Sequence, residues 1–278
     1  MEIRESGSAP AAAKGACGCA CALAVACGSA SAQEHGDLAR QLANPVAALI
    51  SVPLQYNHDS GYGATGDGAV DVLNVQPVIP IALNHDWNLI SRTIVPFVGQ
   101  DDIPTAGEGE GGLGDIVASQ FWSPREAGAG GWIWGVGAVE LLPTATSDAL
   151  GSGQFGLGPT GVALKQAGPW TYGILANHIW SVFGADDRAE VNATFMQPFL
   201  SYITQTRTTF VVNTESTYDW ESSQWSVPIN AGVAQLLKLG PQILQVQLGA
   251  RYWAETRPGG PDDWGYRLTV TLLYPTMK

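Results

Sequence analysis

The chain has 278 residues, 14% of them charged, with a formal net charge of −12. This negative charge disfavours nucleic acid as a partner, because phosphate binding requires a basic face. With 34 glycines and 17 prolines, long helices are disfavoured, and a hydrophobic fraction of 45% excludes a disordered chain. The composition therefore favours an all-β protein.

The first 32 residues have the composition of a secretory signal peptide. Lys14 precedes a run of small and apolar residues, and an A-x-A cleavage site ends at Ala32. We therefore predict a signal peptide over 1–32 that is cleaved near Ala32, and an exported mature chain. A disordered tail and a lipoprotein signal ending at Cys27 remain alternatives. All four cysteines lie in this segment: Cys17, Cys19, Cys21 and Cys27.

After a short periplasmic segment, 33–46, apolar and polar residues alternate with a period of two. The last run is the clearest, since Leu268, Val270 and Leu272 alternate with Thr269 and Thr271. Period two predicts strands with one apolar and one polar face, and these runs have the length of about 9–11 residues that a tilted strand needs to cross a bilayer. The predicted strands lie near 47–57, 70–84, 87–98, 112–122, 131–142, 154–165, 169–182, 190–203, 207–218, 224–237, 243–254 and 264–274.

Two kinds of connection alternate along the chain. Compact turns such as 204–207 alternate with longer acidic loops such as 99–111, which is typical of outer-membrane barrels. We predict an all-β fold: a transmembrane antiparallel up-and-down β-barrel of about twelve strands over 47–274, followed by a tail, 275–278. The acidic loops should face outward, with both chain ends in the periplasm. Candidate acidic loop residues are Asp101, Asp102, Glu108, Glu110, Asp186 and Asp187.

The tryptophans fall near the predicted strand ends. Trp and Tyr concentrate at membrane–water interfaces, because the ring is apolar and its polar group needs a wet partner. We therefore predict two aromatic belts; the alternative is a soluble sandwich with scattered core aromatics. The candidates are Trp87, Trp122, Trp132 and Trp170 beside the short turns, and Trp180, Trp225, Trp253 and Trp264 beside the acidic loops.

Polar and charged residues on the other strand faces should point into the barrel. There they either line a water path or pair with one another and close it, since a buried charge must be paired. The sequence leaves both alternatives open. The candidate lumen-lining residues are Arg92, Asn213, Glu215, Gln245, Gln247, Arg251, Arg267 and Thr269.

Six segments carry a family resemblance: 42–45, 76–80, 86–92, 112–115, 130–164 (which contains Pro143-Thr144-Ala145-Thr146) and 168–173. They resemble the proteobacterial outer-membrane proteins grouped as the meta-pathway (MetA-pathway) of phenol degradation, and the likeness runs from about Leu42 to Tyr274. The resemblance implies a transporter-like β-barrel in the outer membrane of a Gram-negative bacterium that passes small, aromatic or hydrophobic molecules. It supplies no catalytic or binding residues. The chain departs from outer-membrane barrels in continuing past Tyr274, where such barrels usually end on an aromatic residue.

Catalytic motifs are weak. His58 and Ser60 have the His-x-Ser order of outer-membrane phospholipases, but a serine nucleophile also requires a group that orients the histidine, so we interpret them as neighbours in a loop. We expect a passive channel and not an enzyme; a lipid-acting enzyme and a structural barrel with a plugged lumen are the alternatives. Expected partners are outer-membrane lipid, lipopolysaccharide and a small-molecule solute, with no cofactor, metal or nucleic acid.

Overall fold

A computed structural model describes residues 36–63, 65–103, 107–262 and 264–274. The predicted signal peptide and the tail 275–278 lie outside the described residues. Strands dominate, and we number them in chain order, giving two ranges where a strand is interrupted. They are β1 (Ile50–Tyr62), β2 (Gly68–Val75 and Val78–Ala82), β3 (Trp87–Asp101), β4 (Gly109–Leu113 and Ile116–Pro124), β5 (Trp132–Leu142), β6 (Gln154–Ala167), β7 (Trp170–Gly184), β8 (Asn192–Ile203), β9 (Thr208–Thr214 and Ser216–Asp219), β10 (Gln224–Leu239), β11 (Gln242–Glu255) and β12 (Trp264–Tyr274).

Each strand pairs antiparallel with its neighbours in sequence, and β12 pairs with β1 to close the sheet. In this closing ladder Leu54 lies opposite Val270 and Ser51 opposite Leu273. Closure removes the unpaired edges that an open sheet would expose to lipid. The predicted up-and-down transmembrane barrel of twelve strands is confirmed.

Several strands extend beyond their predicted ends on the side of the acidic loops. β1 continues to Tyr62, and β3 continues to Asp101, which pairs with Gly109 of β4. Glu110 likewise lies in β4, opposite Gln100. The prediction that Asp101 and Glu110 are loop residues was therefore wrong. The two strands extend further toward the long-loop end than the glycine-rich sequence suggested.

The two ends of the barrel differ in their connections. At the short-turn end, Gly168-Pro169 joins β6 to β7 and Gly240-Pro241 joins β10 to β11. Both glycines have a φ of 59°, the left-handed conformation that tight hairpins require at their first central residue. The long-loop end carries the acidic connections, including Asp102, Glu108, Asp186 and Asp187 outside the strands.

The outer surface is apolar between two aromatic belts. Leu248 is 65% exposed and Val136 54%, which suits a lipid face and not a water-facing one. At the short-turn end the Trp170 and Tyr202 rings lie 4.7 Å apart and the Trp132 and Tyr172 rings 6.3 Å. Trp87 packs edge-on against Trp134, and Trp122 is exposed.

The second belt surrounds the long-loop end. Trp264 packs on Tyr252 with ring centroids 5.1 Å apart, and Trp225 packs on Tyr218 at 4.9 Å. Trp180 is 49% exposed. Trp253 was wrongly predicted for this belt, because it follows the inward-facing Arg251 by two positions and its indole points into the barrel.

The N-terminal segment (residues 36–49) packs inside the barrel at the short-turn end. Residues 36–42 are helical, and Leu38 and Ala39 form a buried cluster with Leu236 and Leu273. We predicted 33–46 as a periplasmic segment separate from the barrel. Its described part instead packs inside the barrel. In the described part of the chain, no helix is long and apolar enough to cross a membrane.

Candidate functional site

The barrel interior contains an apolar layer, a cavity and a charged layer between its two ends. The apolar layer lies toward the short turns, where Val46 of the N-terminal segment packs with Ile90, Phe121 and Leu164. The charged layer lies toward the long loops. Between them is a cavity of about 370 Å³, which makes the interior the main candidate for a functional site.

The charged layer is a network of five side chains, which we call the ion network: Asn57, Asp59, Glu215, Arg251 and Arg267. At its centre Arg267 donates two hydrogen bonds to Glu215, from Nη1 to Oε1 at 2.8 Å and from Nη2 to Oε2 at 2.7 Å. This parallel pairing is the strongest arrangement of a guanidinium with a carboxylate. Arg267 Nε also donates to Asn57 Oδ1 at 2.6 Å, so the guanidinium is held from two strands.

Arg251 extends the network toward the long loops. Its Nη1 donates to Asn57 Oδ1 at 3.1 Å, and its Nε lies 3.0 Å from Asp59 Oδ1. Trp253 donates from Nε1 to the same Asp59 oxygen at 3.0 Å, and Arg251 Cζ lies 5.2 Å from the centre of the Trp253 ring. Two cations therefore face two carboxylates, and the charges balance.

The strand sequence explains why these groups meet. Asn57 and Asp59 lie two positions apart on β1, and Asn57 is the register partner of Arg267 on β12. Glu215 occupies the interruption of β9, and its side chain reaches past β10 to the arginines of β11 and β12. Arg251 and Arg267 are 6% and 4% exposed, so pairing is needed to offset their loss of water.

The cavity below the ion network is lined mainly by amides, hydroxyls and a further arginine. Arg92 of β3 donates to Gln76 Oε1 at 2.8 Å, and Asn213, which also lines the cavity, accepts at Oδ1 from Asn230 at 2.8 Å. Phe195, Ile94 and Val78 add apolar surface. A solute in this cavity would therefore meet hydrogen-bonding groups and hydrocarbon together.

The structure brings the predicted lumen residues together. Seven of them line the cavity: Arg92, Asn213, Glu215, Gln245, Gln247, Arg267 and Thr269. Arg251 lies beside them in the ion network. Sequence reasoning did not select Asn57, the last residue of the predicted strand 47–57, and it missed Asp59 because β1 was ended too early. Continuing the period-two pattern from Asn57 by two residues would have placed Asp59 on the same inward face.

The N-terminal segment also contributes cavity walls that were not predicted. Gln41, Asn44 and Pro45 line the cavity on the short-turn side. Arg40 donates to the Gly168 carbonyl oxygen, and Gln166 Nε2 donates to the Arg40 carbonyl oxygen at 2.8 Å. In this arrangement the segment lies below the cavity, and the ion network crosses the interior above it.

The fold resembles that of solved outer-membrane proteins to different degrees. An outer-membrane channel from Pseudomonas putida F1 is 15% identical with a TM-score of 0.63, over 82% of this chain and 96% of that one. The NanC porin is 10% identical with a TM-score of 0.49, over 81% and 99%. The β domain of the Bordetella autotransporter BrkA is 11% identical with a TM-score of 0.43, over 82% and 100%. The TM-score to the Pseudomonas channel shows a shared fold. No protein-family model and no curated protein matches the chain.

Proposed function

We propose that this protein is an outer-membrane channel for small solutes and that the N-terminal segment controls passage through it. The observation that carries the proposal is the polar cavity that lies between the N-terminal segment and the ion network. The apolar outer face and the channel fold of the Pseudomonas protein support a place in the outer membrane, where lipid and lipopolysaccharide surround the barrel. The MetA-pathway resemblance supports the same role.

The solute class follows from the cavity walls. The ion network balances its own charges, so the cavity has no strong field of one sign apart from Arg92. Amides and Phe195 suit a small molecule with a polar group on an aromatic or hydrophobic body, since each part finds a matching surface. The cavity has a volume of about 370 Å³, near the low end for ordinary ligand sites, and this limits the size of the solute.

Displacement of the N-terminal segment can be tested with an engineered disulfide. A Cβ atom at Gly135 on β5 would lie 3.3 Å from Cγ1 of Val46, close enough for a disulfide between cysteines at the two positions. The native cysteines all lie in the predicted signal peptide. We expect the oxidised Val46→Cys/Gly135→Cys protein to conduct little in planar bilayers and to conduct after reduction.

Each double-variant sample is its own control, because only the bond changes on reduction; wild type with and without reductant completes the set. Equal conductance before and after reduction would mean that passage does not require movement of the segment. No conductance in any sample, wild type included, would favour the plugged structural barrel.

The orientation of the barrel follows from its connections, since outer-membrane barrels have short periplasmic turns and longer external loops. We therefore expect an epitope inserted beside Glu108 to bind antibody on intact cells. An epitope in the turn 204–207 should bind only after the outer membrane is permeabilised. The reverse pattern would show that the barrel is inserted the other way up.

A further inference from the structure

The outer face of β1 carries a group of polar side chains that the channel does not use. Asn57 and Asp59 face the interior, so the alternate residues His58 and Ser60 face outward. His58 Nδ1 lies 2.8 Å from Asp71 Oδ1 on β2, and the two residues are register partners. Ser60 can act as a nucleophile only if a third group orients His58. Asp71 meets that requirement.

The histidine is held on several sides. Its ring stacks on Tyr266 with centroids 4.9 Å apart and an angle of 26°. Tyr56 donates to the same Asp71 oxygen at 2.5 Å, which anchors the carboxylate. With Nδ1 engaged by Asp71, Nε2 is the nitrogen left to accept a proton, the arrangement of a histidine base in a serine hydrolase.

Ser60 lies two positions from His58 on the same strand face, a separation of roughly 7 Å along the backbone that the two side chains together can span. In the structure Ser60 Oγ is 3.5 Å from the Trp264 carbonyl oxygen, too long for a strong hydrogen bond. The hydroxyl must therefore rotate toward Nε2 to react. Such contacts often tighten only when substrate is bound.

A bulge follows directly after Ser60. Ser60 pairs with Ala69 and Tyr62 with Gly68, so Gly61 has no partner in the β1–β2 ladder, and its φ is +85°. The extra residue of a bulge leaves the ladder's hydrogen bonding. The N–H of the residue after a nucleophilic serine supplies one oxyanion donor in α/β-hydrolases, and Gly61 occupies that position here.

An apolar groove begins beside Asp71 on the same outer face. It has a volume of about 540 Å³ and is lined by Tyr56, Leu73, Phe97, Leu113 and glycines of β3 and β4. Gly99 forms part of its floor, and a Cβ added there would lie 3.9 Å from Asp71 Cβ. The groove therefore leads to the polar group from the lipid face.

We propose that these features form an acyl-ester hydrolase site at the outer aromatic belt, with Ser60 as nucleophile, His58 as general base and Asp71 as a positioning residue. The substrate class is a long-chain acyl ester of a membrane lipid, whose acyl chain occupies the groove. Tyr266 and Trp264 flank the site, and such aromatic residues mark the headgroup level, where lipid esters lie.

The reaction needs water alone as co-reactant. Ser60 Oγ attacks the ester carbonyl carbon while His58 Nε2 takes the hydroxyl proton. The intermediate expels the alcohol, which leaves as a lysolipid with that proton, and the acyl group stays on Ser60 Oγ. Water then gives a proton to His58 and attacks the acyl-serine; the fatty acid leaves, and the proton returns to Ser60.

The test uses the folded barrel in octyl glucoside, a detergent without esters, mixed with dipalmitoyl phosphatidylethanolamine or with lipopolysaccharide, and measures released fatty acid by mass spectrometry. We expect release by wild type and a loss of about 100-fold or more in Ser60→Ala and His58→Ala. Asp71→Asn should lower kcat and leave KM unchanged, as expected of a group that only orients the base. The lipid that releases fatty acid identifies the source of the ester.

His85→Ala is the matched control. His85 Nδ1 lies 3.0 Å from Asp86 Oδ1, a similar pair at the short-turn end, and its loss should leave release unchanged. Gly99→Leu should fill the groove, lowering palmitate release about tenfold or more while hydrolysis of p-nitrophenyl acetate persists. The proposal would be overturned if wild-type barrel that migrates faster unheated on SDS gels, and is therefore folded, released no fatty acid. Equal release by Ser60→Ala would overturn it as well. Neither result bears on conductance, because the site lies outside the lumen.

Discussion

Val270→Arg should destabilise the barrel by about 2–4 kcal/mol, the cost of an arginine at the bilayer midplane. Val270 lies on the outward face of β12, opposite Leu54 of β1 and Val246 of β11. Tyr266 and Tyr274 lie equally far from it along the strand, near the two interfaces. The guanidinium would therefore be held in hydrocarbon without a partner. We expect a lower yield of the form that migrates faster unheated on SDS gels.

Thr269→Arg is the matched control one residue away. Thr269 is 8% exposed and faces the cavity, so a new arginine there enters a polar interior that already holds Arg92 and Arg267. This variant should fold and change conductance through added positive charge. Equal tolerance of both variants would mean that β12 has no lipid face, and the opposite order would invert the inside–outside assignment of the strand.

The fold could be read from the sequence because a transmembrane barrel repeats one simple pattern. In β12, apolar and polar residues alternate from Tyr266 to Leu272, and the structure gives that strand the predicted bounds, 264–274. The predicted bounds of β1 were less accurate, because polar outward residues such as His58 and Ser60 interrupt the alternation after Tyr56. At the level of the aromatic belt the outer face no longer needs to be apolar, so period two stops being visible while the strand continues.

The interior was predicted only in part. Arg251 and Arg267 lie inside the barrel, and they belong to strands whose phase is unambiguous in the sequence. Glu215 was also identified, but its partners depend on barrel closure, which joins β12 to β1 and brings Asn57 to Arg267. The position of the N-terminal segment had no sequence signal, since Leu38 and Leu42 are compatible with an amphipathic helix inside or outside the barrel. The Asp71–His58 contact likewise required the β1–β2 register.

Glu215→Ala should destabilise the barrel by about 3 kcal/mol, the low end of the range for breaking a buried ion pair. The low end applies because the Glu215 side chain is 21% exposed. Water in the cavity can therefore replace part of its interaction with the arginines. Without Glu215, the Arg267 guanidinium loses both parallel hydrogen bonds, and Arg251 loses a carboxylate 3.5 Å away. Denaturant unfolding in lipid vesicles, followed by tryptophan fluorescence, measures this change.

Asp219→Asn on the same strand is the control, since among the described residues the Asp219 side chain bonds only to Ser222 and to the N–H of Glu221. It should cost less than about 1 kcal/mol. The double variant Glu215→Ala/Arg267→Met separates pairing from packing. If the cost of Glu215→Ala comes from stranded positive charge, removing Arg267 as well should recover part of the lost stability. Additive losses would show instead that Glu215 acts by filling the interruption of β9, and the ion network would then have no role in holding β1, β9 and β12 together.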